Sequence, residues 1–191
     1  MSKTNPKIGD LKRQIIDALS PCFKKLGLDR ASDVVYWSDS QDCARIVEIT
    51  FLTTRNAEVF ESTTASFSVE FGGLYPPMDW CRNEKEFPST AFCQVRGNLL
   101  RSYPQRAPGE DLPAAEHKRR DIWWVDKSGA GLGRAIEDAV RVAQEELGAC
   151  LEKLAHPKEI KPLRKSHFSW LTKQPEPKAT WLLIPKVINN L

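Results

Sequence analysis

Apolar residues recur at helical spacing near both ends of the chain and alternate with polar ones in between. Ile8, Leu11, Ile15, Leu19, Phe23 and Leu26 lie three to four residues apart, which predicts one amphipathic helix over 7–26. Gly27 follows where a left-handed C-terminal cap belongs. Pro21 lies inside the span, and a proline removes a backbone donor and crowds the preceding turn. The helix is therefore expected to kink near Ser20, or to restart there with Ser20 as its N-cap. Three segments of strand character come next, "DVVYWS" (33–38), "ARIVEITFLTT" (44–54) and "TTASFSVEFGG" (63–73). In the third, Ala65, Phe67, Val69 and Phe71 alternate with Thr64, Ser66, Ser68 and Glu70, which predicts one buried face and one wet face.

From Leu74 to Glu116 prolines interrupt the pattern repeatedly, apart from "TAFCQVRGNLL" (90–100), which reads as a strand or a short helix. "RDIWWVD" (120–126) reads as a last strand. Trp123 and Trp124 then point to opposite faces, one under the helices and the other either covering the long loop or forming a binding surface. Leu132, Ile136, Val140, Ala143, Leu147, Leu151 and Leu154 form a long helical stripe that ends near Pro157. The order of elements predicts an α+β fold: an antiparallel sheet of four to five strands with an N-terminal and a long C-terminal helix packed on one face. One domain over 1–156 is expected, with an irregular insertion at about 74–119 and a basic, proline-containing extension over 157–191.

Composition narrows the class. The chain has 191 residues, 41% of them hydrophobic and 28% charged, which suits one ordinary globular domain with appendages. No secretory signal and no run of about 20 apolar residues is visible, so a cytoplasmic protein without a membrane span is expected. The five cysteines, Cys22, Cys43, Cys81, Cys93 and Cys150, are odd in number and widely spaced. They read as free thiols, with Cys93 and Cys150 as small core residues. The net charge of +3 is concentrated in the tail, where "KPLRKSHFSWLTK" (161–173) interleaves bases and aromatics. Nucleic-acid contact through 158–178 follows as one alternative. "WLLIPKVI" (181–188) is too apolar to stay in water and is expected to dock on its own domain or to mediate self-association with a second copy.

Candidate chemistry is sparse. "DIWWVDKSGAGLGRAIEDAV" (121–140) has the layout of a strand, a glycine loop and a helix, but Arg134 stands where a dinucleotide fingerprint needs its third glycine. No second parallel strand follows and no Gly-Lys-Ser/Thr closes the run. The stretch reads as a flexible turn whose glycines permit positive φ, with no cofactor. An anion contact at the helix N-terminus, aided by Arg134, is all that it could add. His117, His156 and His167 show no metal-ligand spacing among themselves or with the cysteines, so no metal site is expected. Cys81, beside Arg82, is the one candidate nucleophile, and an unreactive thiol is the preferred reading. Arg96 and Arg101, with Arg119 and Arg120, could form a basic patch for a carboxylate or phosphate. Glu116 and Asp121 lie close enough in sequence to neutralise it.

"PCFKKLGLDR" (21–30), "FSVEFGGLYP" (67–76), "CQVRGNL" (93–99) and "DIWWVD" (121–126), in this order before a long helix, resemble the bacterial family called domain of unknown function 4304 over about residues 8–155. The paired tryptophans and the Cys93-x-x-Arg96 spacing carry most of the resemblance. It implies a compact α+β domain, and the family has no established activity or catalytic residues to transfer. In size and layout the chain is also similar to small cytosolic immunity factors encoded beside bacterial toxins. The expectation is a non-enzymatic protein-binding module with an unidentified protein partner, of the immunity-inhibitor kind. It would bind through 74–119 or the sheet face near Trp124, with Arg96, Arg101, Arg120, Trp124 and Arg134 as candidate binding residues. The alternative is a small hydrolase or transferase using the dispersed residues Cys81, Arg96, His117 and Asp121.

Overall fold

The computed structural model describes residues 6–38, 43–60, 62–75, 89–103, 119–126 and 128–155, and the backbone of 179–183. The sequence between Ile8 and Lys25 forms one unbroken helix, α1, with Leu11, Ile15, Leu19, Cys22 and Phe23 buried. It does not restart at Ser20. Full burial of Leu19 and Phe23, on either side of Pro21, contributes about 1.5–3 kcal/mol each, enough to offset the roughly 3 kcal/mol that an interior proline costs. Ser20 donates instead to the carbonyl of Ile16 and meets the hydroxyl of Tyr36. α1 ends in a Schellman motif: Gly27 N–H bonds Lys24 O, Leu28 N–H bonds Phe23 O, and Gly27 takes φ 74°.

The sheet is an antiparallel meander whose strands lie side by side in chain order: β1 (Asp29–Arg30), β2 (Val35–Ser38), β3 (Ala44–Phe51), β4 (Phe67–Leu74), β5 (Val95–Leu99) and β6 (Ala179–Leu183). Five strands thus come from residues 29–99, and the sixth is supplied by the tail, whose backbone docks on β5. A short helix absent from the sequence reading, α2 (Thr54–Val59), is started by Thr53, whose side chain accepts from Asn56 N–H.

One sheet face, with Val47, Ile49, Phe67, Val69, Phe71, Val95 and Leu99, packs in a single core against α1 and the C-terminal helices. Those helices are α3 (Leu132–Val142) and α4 (Gly148–Leu154), joined by a π turn at Ala143–Leu147. The buried stripe differs from the predicted one. Ala135, Ala139 and Val142 lie at its centre, while Ile136 and Val140 sit at the margin of the core. Small alanines let the helix approach closely, and the π turn rotates the later residues, bringing Leu147, Cys150, Leu151 and Leu154 inward. No described helix is long and apolar enough to cross a membrane.

Two expectations about the opposite face are corrected. "DIWWVD" is not a sheet strand: it makes one bridge, Trp123 with Phe67, where each residue's N–H bonds the other's carbonyl. β5 pairs only with Glu70–Gly73 of β4, so Trp123 occupies the stretch of β4 edge that β5 leaves open. Beyond that point hydroxyls replace the ladder. Val125 N–H donates to Ser66 Oγ, and Val125 O accepts from Thr63 Oγ1 at 2.7 Å. The supposedly wet face is also covered, because Ser66 and Ser68 are buried beneath other residues. Serine hydroxyls tolerate this because they bond backbone or carboxylate groups there.

Candidate functional site

The register across the meander assembles the outer face row by row. Val35, Glu48, Glu70 and Asn98 form one row, and Trp37, Ile46, Gly72 and Arg96 the next. At one end this face is closed by Val35, Ala44, Ile46, Leu74 and Cys93, and at the other by Ile122 and Trp124 packed with Leu52 and Phe60. Between the two apolar covers runs a strip of charged and hydroxyl side chains.

The strip is held by hydrogen bonds. Thr90, in a 3-10 turn (Thr90–Phe92) capped by Ser89, lies over the two glutamates. Glu48 Oε2 accepts from Ser89 Oγ at 2.7 Å, from Thr90 N–H at 2.9 Å and from Thr90 Oγ1 at 2.9 Å. Glu70 Oε2 lies 3.1 Å from the same Thr90 hydroxyl, and its other oxygen accepts from Ser68. One hydroxyl has one hydrogen, so Thr90 Oγ1 serves these carboxylates in alternation. On the β5 side, Arg119 grips Asp121 with two bonds of 2.8 Å, and Asn98 reaches the same carboxylate at 3.4 Å. The hydrogen bond to Asp121 raises the proton affinity of Arg119 further, outweighing the opposite effect of its burial. Arg96 stands two residues from Asn98 on the same face, and its Nε is shut from solvent with no hydrogen-bond acceptor.

The other candidate binding residues lie elsewhere. Arg101 is fully buried just beyond β5, with its N–H bonded to Arg120 O, its Nη1 2.7 Å from Tyr103 O and its guanidinium over the Tyr103 ring. Arg120 Nη2 bonds Arg101 O, and the Arg134 guanidinium stacks 3.9 Å above Tyr103. The fold therefore gathers Arg101, Arg120 and Arg134 around one tyrosine. Arg96 lies within β5, whereas Arg101 follows the end of that strand. Trp124 is 1% exposed, edge-on to Phe60 at 5.6 Å, with no acceptor for its Nε1. With Ile122 it covers one end of the outer face.

Asp138 on α3 ties the arginine cluster to the core. It accepts from Trp123 Nε1 at 3.0 Å, Ser102 N–H at 2.9 Å, the Ser102 hydroxyl and Arg141 Nη2 at 2.8 Å. Burial alone would raise its proton affinity, but the bonds from Ser102, Arg141 and Trp123 prevail and hold it below the usual carboxylate range. The glycine turn before α3 is more tightly held than its composition suggests. Asp126 Oδ1 accepts from the N–H and hydroxyl of Ser128, and Ser128 Oγ accepts from Ala130 N–H. Gly129 and Gly131 take positive φ, as this turn requires.

Cys22, Cys43, Cys93 and Cys150 are buried and form no disulfide, and burial pushes the Cys150 thiol up to about 11. Among the described residues no three His, Cys, Asp or Glu side chains cluster closely enough to hold a metal ion. Cys81, His117, the segments 76–88 and 104–118, and the basic stretch 158–178 lie outside the described residues. Of the four dispersed catalytic candidates, Arg96 and Asp121 are therefore the two that are placed. Sequence reasoning missed Glu48 and Glu70. The available signal was a glutamate at an outward position in each of two neighbouring strands, together with the Ser89-Thr90 cap.

Fold and site together define an α+β protein with a helix-covered antiparallel meander and a fixed polar strip on its outer face. Comparison with protein-family models, with curated proteins and with solved structures finds no match.

Proposed function

We propose that this protein acts by binding another protein through the outer face of its sheet, as a cytosolic bacterial module of the domain of unknown function 4304 type, and that it is an immunity-type inhibitor. The polar strip carries the proposal. Glu48 and Glu70 are fixed by Ser89 and Thr90, and Arg119 and Asp121 by each other, before any partner arrives. Charges already immobilised lose little further freedom on association. Opposite signs placed side by side set the register and identity of a partner more than they concentrate one kind of ion.

The test is affinity purification of the tagged full chain from its native host, beside an Arg96→Glu/Arg119→Glu variant. A stoichiometric protein partner is expected with the wild type, and the charge reversals should weaken its retention by about tenfold or more. Recovery of the wild type without a stoichiometric partner under every growth condition would overturn the proposal. Equal retention by both chains would remove the outer face from it.

A further inference from the structure

The two edges of the sheet are unlike. β1 ends one side with two exposed, charged residues, Asp29 and Arg30, the kind of short edge that discourages strand addition. On the other side β5 offers five consecutive residues without proline, Val95–Leu99, and its backbone is paired by residues 179–183. In register, Val95 faces Leu183, Arg96 faces Leu182, Gly97 faces Trp181, Asn98 faces Thr180 and Leu99 faces Ala179. The occupant comes from far along the chain, beyond residues 156–178, and among the described residues its backbone is paired on one side only.

It is also an incomplete match. Arg96 carries a buried Nε–H without an acceptor, and the residue facing it, Leu182, has a hydrocarbon side chain that can supply none. A strand with a carboxylate or amide oxygen at that position would make every backbone bond that the tail makes and would satisfy the guanidinium as well.

We propose that the β5 edge is an acceptor site for an extended segment of a partner protein, with an Asp, Glu, Asn or Gln facing Arg96, and that residues 179–183 fill it while the partner is absent. This rests on the protein-binding reading and names how the partner is held. A tethered strand acts as a competitor at an effective concentration of about millimolar, so an outside segment must pair better than the tail to displace it. The Arg96 contact is the means. Apolar positions at Val95, Gly97 and Leu99 set the depth of the strand, and Arg96 selects among segments.

The test uses the full chain, a Thr180→Pro/Trp181→Pro variant and two labelled peptides. One peptide has the sequence of residues 178–185, and the other has the same sequence with L182E. Successive strand residues turn their N–H groups to opposite sides, so the double proline removes a bond to β5 whichever residue makes it. The variant should keep the wild-type melting transition but lose hydrogen-exchange protection at those Val95–Leu99 amides that point away from β4. It should bind the native peptide at least about tenfold more tightly than the wild-type chain does, because the tethered competitor is gone. The L182E peptide should gain about a further tenfold, and that gain should vanish with Arg96→Met. Unchanged protection of Val95–Leu99, or an exposed edge that binds neither peptide, overturns the proposal. If a native partner is retained equally by the wild type, the double-proline variant and Arg96→Met, strand addition fails while protein binding stands. If no partner exists, the parent reading fails instead.

Discussion

Trp123 Nε1 donates to Asp138 Oδ2 at 3.0 Å, joining the segment before the glycine turn to the helix after it. Both side chains are buried, and the same carboxylate also receives Ser102 and Arg141. Three parts of the chain distant from one another in sequence therefore meet on one acid.

Replacing Asp138 with Ala should cost about 3 kcal/mol in chemical denaturation at pH 7, because the Trp123 and Ser102 donors are left buried without an acceptor. Since the folded state lowers the proton affinity of Asp138, its ionisation contributes stability that is complete above the unfolded value of about 3.9 and is lost as pH falls through the lower folded value. The difference between wild type and Asp138→Asn should accordingly shrink below about pH 4. A difference that stays constant to pH 2 would contradict this.

Thr63 and Ser66 both serve the backbone of Val125. Thr63→Val and Ser66→Ala should each destabilise by about 1–3 kcal/mol, and the double variant should lose more than their sum because each hydroxyl can still serve the shared carbonyl when the other is gone. A double-mutant cycle by urea denaturation reads this directly. Strict additivity would show that the hydroxyls act independently.

Gly72 leaves no room for a methyl group, since a Cβ there would lie 2.6 Å from both Cβ and Sγ of Cys93. Gly72→Ala should cost about 1–3 kcal/mol. Cys93→Gly should restore more of the loss than Cys93→Ala, which keeps the clashing Cβ. Thermal melting of the three chains distinguishes the outcomes.

Cys22, Cys43, Cys93 and Cys150 should resist alkylation at pH 8 in the folded state, Cys150 most of all since burial holds its thiol near 11. All four should react once urea unfolds the chain. Peptide mapping after a short pulse of iodoacetamide provides the check, and rapid labelling of Cys150 in the native protein would contradict its placement.

Much of the fold was legible because it depends on local periodicity. The spacing of Leu11, Ile15, Leu19 and Phe23 and the position of Gly27 were enough to place α1 and its cap. The alternation of Phe67, Val69 and Phe71 was enough to place β4 with its apolar face inward. Antiparallel order followed from the sequence of elements. The α+β class was thus determined by patterns that repeat within a few residues.

What local pattern does not contain is the identity of the covering partner. Bulky residues in "DIWWVD" suit a strand, yet only one residue bridges β4, because Thr63 and Ser66 supply Val125 with the bonds a ladder would have made. Ser66 and Ser68 look solvent-facing by alternation and are buried, because Trp124, Ile122 and the turn at Thr90 close over that face. In α3 the stripe is centred on Ala135 and Ala139, because the closeness of a neighbouring element, and not hydrophobicity alone, decides which side chains fit beneath a helix. The candidate site depended on the same long-range information. Arg96 was singled out as a base, but its pairing with Leu182, and the union of Glu48 and Glu70 under Thr90, exist only once strands far apart in sequence lie in register. Hydrogen bonds and close packing between distant segments are set by three-dimensional proximity, and a one-dimensional pattern of apolar and polar residues does not encode which distant segments meet.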